Sequence, residues 1–180
     1  MRKIYFFILM LIFCYGCNEK KNPNLFKEYK GPIATFSNIE TLFSDSAVVR
    51  IILNAPTQMD FKNGNRQFPN GIKINFFEKD QTNYATLTAN SASYDINKKL
   101  YTAKGNVVVA NAVKKETLKT EKLYWNPEEK KVYTDNFVKI ETEQEIIQGQ
   151  GLEADQDFSH YKILKPTGVF SLDNDESEEE

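Results

Sequence analysis

The chain is predicted to be all-β, one continuous and curved antiparallel sheet made by adding hairpin to hairpin. Three observations predict it. First, Thr117 to Ile140 reads as two alternating strands around a polar turn and echoes Thr86 to Val109. Tyr94 answers Trp125, Asp95 answers Asn126, and Lys98-Lys99-Leu100-Tyr101-Thr102 answers Lys130-Lys131-Val132-Tyr133-Thr134 if one turn is a residue longer than the other. Second, a weaker copy spans Gly151 to Phe170, with Ala154-Asp155 in the place of Tyr94-Asp95 and His160-Tyr161-Lys162-Ile163 in the place of the lysine-led strand. Third, no segment beyond the N-terminus carries a helical period, and Lys114 to Glu121 is too short and too polar for one. A unit of about thirty residues with period-two alternation cannot bury its apolar face alone, so the copies must stack side by side.

In chain order, Met1-Arg2-Lys3 is a positive n-region, Ile4 to Phe13 an apolar run of ten, and Tyr15-Gly16-Cys17 sets a small residue before a cysteine. Ten residues are too few to span a bilayer as a helix, which takes about twenty. The segment resembles a bacterial lipoprotein signal with Cys17 as the lipidated residue, although Cys14 stands where such signals prefer Leu. An uncleaved anchor or an ordinary signal peptide are the other readings, and each leaves the domain outside the cytoplasm. The expected division is residues 1–16 as signal, 17–34 as lipid anchor and tether, 35–172 as the β domain and 173–180 as an acidic disordered tail. Without Cys14, and with Cys17 modified, the domain has no thiol pair for a disulfide or a metal. Leaving out Arg2, Lys3 and the six acids of the tail, 21 basic face 19 acidic residues, a balance that speaks against nucleic-acid binding.

Asn18 to Lys30 is polar and aperiodic, as a tether would be. Thr35 to Asp45 is expected to form a first, poorly patterned strand and turn. Ala47 to Asn54 is a β-branched strand closed by Ala55-Pro56, and Asp60 to Asn70 a loop with turn signals at Asn63-Gly64-Asn65 and Pro69-Asn70-Gly71. Ile72, Ile74 and Phe76 alternate with Lys73 and Asn75, which makes Ile72 to Phe77 a strand. After a turn at Lys79 to Asn83, Leu87 and Ala89 share a face, and Ala92 and Tyr94 resume it one residue out of phase across Asn90-Ser91. The slip recurs across Glu121-Lys122, and again between Gly149 and Leu152. Such slips are what β-bulges produce, and three in register imply a bent, coiled sheet.

TANSASYDINKKLYTAKGNVVV, TEKLYWNPEEKKVYTDNFVKI and GQGLEADQDFSHYKI, behind a lipoprotein-like N-terminus, resemble the LptC family of the lipopolysaccharide-export machinery, in the lipid-anchored form of Bacteroidetes-type bacteria. The resemblance covers Phe36 to Leu172. It implies a twisted, open antiparallel β-jelly roll of the OstA/LptA-like kind, with an apolar groove for the acyl chains of lipopolysaccharide. It further implies docking of one sheet end on the periplasmic part of the inner-membrane ABC transporter and of the other on the next, LptA-like, periplasmic bridge protein. The better-studied relatives use a transmembrane helix where this chain has Cys17. The location implied is the periplasmic face of the inner membrane, with no enzymatic activity.

Alternation marks as inward Val48, Leu53, Ile74, Phe76, Leu87, Ala89, Ala92, Tyr94, Leu100, Val107, Val109, Leu118, Leu123, Trp125, Val132, Val138, Ile140, Leu152 and Ile163. Those from Ile74 to Leu152 are the expected groove, with Ala89, Ala92, Gly149 and Ala154 leaving room between larger neighbours; the alternative is that all of them pack a closed core. An unclosed sheet leaves two edges for strand addition, expected around Phe36, Ile39 and Leu42 at one end and Val169, Phe170 and Leu172 at the other. The alternative function is a structural adaptor with a filled core. No catalytic group, cofactor or metal set is expected. His160 is the single histidine and reads as a turn residue, Glu141, Glu143 and Glu145 as a solvated strand face, and Lys98-Lys99, Lys114-Lys115 and Lys130-Lys131 as solvated pairs that could attract phosphates.

Overall fold

The computed structural model describes residues 28–78, 80, 82–156 and 158–167. The expected signal segment, Cys17, most of the tether, the edge residues Val169, Phe170 and Leu172 and the acidic tail lie outside them. The chain divides after Lys30 into two compact units, and the second holds every strand. The strands are β1 (Ala34–Asp45), β2 (Val48–Asp60), β3 (Arg66–Phe68), β4 (Ile72–Phe77), β5 (Asn83–Ala89), β6 (Ser91–Asp95), β7 (Leu100–Asn111), β8 (Glu116–Asn126), β9 (Lys131–Glu141), β10 (Ile146–Asp155) and β11 (Tyr161–Thr167). They form one 11-stranded sheet in which every pair is antiparallel. β2 pairs with both β3 and β4, and β7 with both β5 and β6, so β3–β4 and β5–β6 are each one bent strand. The sheet is thus a meander in which each strand lies beside its predecessor, with β1 and β11 as edges that, among the described residues, pair on one side only.

The turns explain why the chain reverses where it does. Asp95 Oδ1 accepts from the amides of Asn97 and Lys98, Asn111 Oδ1 from those of Val113 and Lys114, and Asn126 Oδ1 from those of Glu128 and Glu129. Asx side chains mimic a backbone turn in this way. Each turn ends on a lysine in the left-handed region, Lys99 (φ 51°), Lys115 (φ 54°) and Lys130 (φ 54°). The turns after Asp95 and Asn126 therefore have equal length, and the extra residue expected between the copies does not exist. Tyr101, not Leu100, occupies the place of Val132: Tyr101 is buried and Leu100 points to the other face, half-exposed. Lys114-Lys115 lies in a third turn of the same kind, which the sequence reading did not separate out.

A crease runs across the strands. Register shifts between Lys104/Val107 on β7, Thr120/Tyr124 on β8 and Gln150/Leu152 on β10 fall beside one another, in line with the break at Asn90 and with Pro69-Asn70-Gly71. The expected slips at Asn90-Ser91, Glu121-Lys122 and between Gly149 and Leu152 all lie on this line. Gly71, Gly105 and Gly151 supply positive φ along it (94°, 74° and 82°). Side chains satisfy carbonyls that the broken ladder leaves: Thr120 Oγ1 donates to Phe137 O at 2.8 Å, Thr134 Oγ1 to Lys122 O at 2.6 Å, and Gln150 Nε2 to Asp135 O. The crease also corrects the reading of β2, which continues through Ala55-Pro56 to Asp60. Pro56 falls between the stretch paired to β4 and the stretch paired to β3, and the β1 register skips it as well, passing from Ala55–Ile39 to Thr57–Ser37. Within the loop expected from Asp60 to Asn70, the short β3 carries Phe68 into the core.

Candidate functional site

Folding the sheet along its crease brings two rows of turns towards each other. One row holds the turns after β2, β6, β8 and β10, and the other those after β1, β4, β7 and β9. Side chains from opposite rows meet along a seam. Phe43, near the end of β1, packs edge-on to Trp125 at 5.6 Å and to Tyr101 at 6.3 Å, while Phe76 of β4 meets Trp125 at 6.1 Å and Phe158, in the β10–β11 turn, at 6.4 Å. Polar latches flank the rings. Lys130 Nζ lies 3.4 Å from Asp45 Oδ2, and Lys114 Nζ donates to the carbonyls of Phe158 (3.2 Å) and Ser159 (2.7 Å). Trp125 Nε1 donates to Gln156 Oε1 at 3.2 Å. Among the described residues no backbone hydrogen bond crosses the seam.

Behind the seam lies the inner face. Ile74 and Phe76 of β4, Leu87 and Ala89 of β5, Ala92 of β6, Val107 and Val109 of β7, Leu118, Leu123 and Trp125 of β8, Val132, Val138 and Ile140 of β9 and Leu152 of β10 are all buried there, with Tyr94 packed against them. Sequence alternation missed Phe43, Phe68, Tyr101, Ala103 and Phe158, which belong to the same cluster. Equal turn lengths would have revealed Tyr101; Phe158 sits in an irregular turn and carries no periodic signal. The polar side chains buried with this cluster are Asn111, Thr120 and Thr134, each hydrogen-bonded to backbone. Burial pushes the Tyr101 hydroxyl up to about 12.

The interior is filled by the protein's own side chains. Val107, Val138 and Leu152 have no accessible surface, and Ala89, Ala92 and Ala154 are buried among their larger neighbours, with open clefts beside Ala89 and Ala154. At Gly149 a Cβ would collide with the Lys165 carbonyl and with Ile163 Cγ2, because β11, paired beside it, lies close against this position. The edges carry exposed apolar residues, with Phe36 and Leu42 on β1, beside half-buried Ile39, and Leu164 on β11.

The charged candidates are engaged elsewhere. Glu141, Glu143 and Glu145 do not share a strand, since β9 ends at Glu141 and the other two lie in the turn that follows. Glu141 is held down to about 2 by hydrogen bonds from Lys119 and Lys139, and Glu143 pairs with Lys115 at 2.8 Å. Lys99 pairs with Glu128 at 2.7 Å and Lys131 with Asp155 at 2.6 Å, which ties up most of the lysines read as phosphate attractors. His160 is exposed in its turn, with Nδ1 3.3 Å from Asp155 Oδ2. Among the described residues no cluster of His, Cys, Asp or Glu could hold a metal ion, and no helix is long and apolar enough to cross a membrane.

What this arrangement offers chemically is a predominantly apolar inner face, its few buried polar side chains hydrogen-bonded to backbone, with charged side chains along the seam. A comparison with curated proteins found no match. The model of one protein family, described as lipopolysaccharide-assembly, LptC-related, matches residues 8–167.

Proposed function

The chain belongs to the LptC-related family of lipopolysaccharide assembly, and from that membership we propose that its apolar interior takes the acyl chains of lipopolysaccharide delivered by the inner-membrane ABC transporter and passes them on. As a family member it takes part in lipopolysaccharide transport, at the periplasmic side of the inner membrane. The finer reading has three parts. Chains enter where the seam parts. The free edge strands β1 and β11 join the sheet to the transporter on one side and to the next periplasmic bridge protein on the other, by main-chain pairing that needs no special side chains. Acylation of Cys17 holds the domain near the membrane.

The observation that supports the carrier reading is the nature of the closure: the two rows of turns are held by rings, one exposed ion pair and the Lys114 hydrogen bonds rather than by a ladder. Burying a methylene is worth about 0.8 kcal/mol, so a chain of a dozen gains roughly 10 kcal/mol. A ring pair contributes about 0.5–1.5 kcal/mol beyond its buried area and an exposed ion pair about 0.2–1 kcal/mol, so an entering chain has free energy enough to displace several. The filled interior favours a second reading, a structural adaptor that only joins partners through its edges. A photoreactive residue at Leu123 or Val109, both deep on the inner face, separates them in cells. The carrier reading expects lipopolysaccharide-linked product from either position; crosslinks to neighbouring proteins alone would overturn it in favour of the adaptor.

A further inference from the structure

Arg50 of β2 stands at the seam, and its Nη1 is the one buried side-chain nitrogen or oxygen among the described residues without a hydrogen-bond partner. Its Nη2 reaches Glu78 only at 4.0 Å. On the opposite lip, Lys130 Nζ stands 3.4 Å from Asp45. Several ion pairs elsewhere on the surface close to between 2.6 and 2.8 Å, among them Lys99–Glu128, Lys115–Glu143, Lys119–Glu141 and Lys131–Asp155, although Lys122–Asp135 also stays open at 4.0 Å. Both seam cations are therefore loosely held. Two cavities, of about 290 and 340 Å³, share Arg50, Ile51, Lys130 and Gln156 as lining, and Phe43 and Trp125 also line the larger.

A buried guanidinium nitrogen without an acceptor is costly, and native structures rarely keep one without a reason. An oxyanion seated between the lips would supply acceptors to Nη1 and to Lys130, and the planar fork of a guanidinium matches phosphate geometry. Three acids lie near. Asp155 is engaged by Lys131, while Asp45 and Glu78 have side chains 63% and 55% exposed and can turn to water when an anion takes their place. We propose that Arg50 and Lys130 form a phosphate site at the seam, which holds the phosphate monoester of an amphiphile whose chain runs past Phe43 and Trp125 into the interior. The site rests on the carrier reading, because it assumes that the interior takes the chain.

Trp125 is the only tryptophan of the chain, so its emission reports directly on the larger cavity. The full chain is titrated with dodecyl phosphate, with dodecyl maltoside, which has the same tail and an uncharged head, and with inorganic phosphate, all below micellar concentrations. Dodecyl phosphate is expected to bind about tenfold or more tightly than the maltoside, the scale of one charge-assisted hydrogen bond. Arg50→Gln and Lys130→Met should each erase that preference, and Arg50→Lys should keep part of it. Arg50→Gln should melt no lower than the parent, since the nitrogen removed has no partner; if it does melt lower, Lys130→Met, on an exposed turn, decides the matter. Equal binding of the two amphiphiles, unaffected by either substitution, would overturn the phosphate site and leave the carrier reading standing. No emission change with either amphiphile would overturn both. Inorganic phosphate binding as tightly as dodecyl phosphate would show a free-anion site and overturn the lipid-borne source.

Discussion

Thr134 is 2% exposed and joins the crease on two sides, donating to Lys122 O at 2.6 Å and accepting from the Asn136 amide at 3.0 Å. Thr134→Val keeps the shape but removes the donor to the Lys122 carbonyl and the acceptor of the Asn136 amide, so it is expected to lower stability by about 1–3 kcal/mol in urea unfolding. Thr88→Val, at an exposed position of β5, should change it little. A result in which the two variants are alike would show that water satisfies the Lys122 carbonyl instead. At this scale the sequence was partly legible. The phase slip at Glu121-Lys122 showed that the ladder breaks there, but not that a hydroxyl from the neighbouring strand repairs it. Alternation is a statement about faces, and it assigned Leu118, Leu123, Val138 and Ile140 to the side where they lie. It failed at Leu100 because the turn before it was counted one residue too short.

At the scale of elements, Gly149 shows how closely the last strand is fitted. A side chain there would meet backbone, the Lys165 carbonyl at 2.4 Å and Pro166 Cα at 2.8 Å, rather than a flexible tip. Gly149→Ala is expected to push β11 away from β10 and cost about 1–3 kcal/mol, the usual range for overpacking. Hydrogen exchange should show the β10 amides losing protection while the β1–β2 pair keeps its own; unchanged protection in β10 would mean that β11 can slide to make room. This glycine was read from the sequence as spare room, a natural error, since nothing local says how closely the edge strand approaches it. The hairpins themselves were legible through Asp95, Asn126 and their lysines. Pro56 misled because a proline normally ends a strand, and only the crease, a feature of several strands together, explains why this one does not.

For the molecule as a whole, the seam joins positions that no local pattern relates: Phe43 to Trp125, Phe76 to Phe158, Asp45 to Lys130. That is why the sequence implied a bent sheet but not the closure of its two rows of turns, and left a filled interior as one of two readings. Phe158 is 4% exposed although it sits in a turn. Phe158→Ala is expected to cost about 3–5 kcal/mol if the gap cannot collapse, and less if the turn moves inward. Acrylamide should quench Trp125 more strongly in the variant; unaltered quenching would show that the seam is held without this ring. The meander has one further consequence, for how the chain acquires its structure. With β3–β4 and β5–β6 each counted as one bent strand, every ladder links a strand to the one before it, so each pairing closes only a hairpin-sized loop. A polypeptide emerging N-terminus first can zip up strand after strand as each arrives, leaving the ring contacts of Trp125 and Phe158 to be made last.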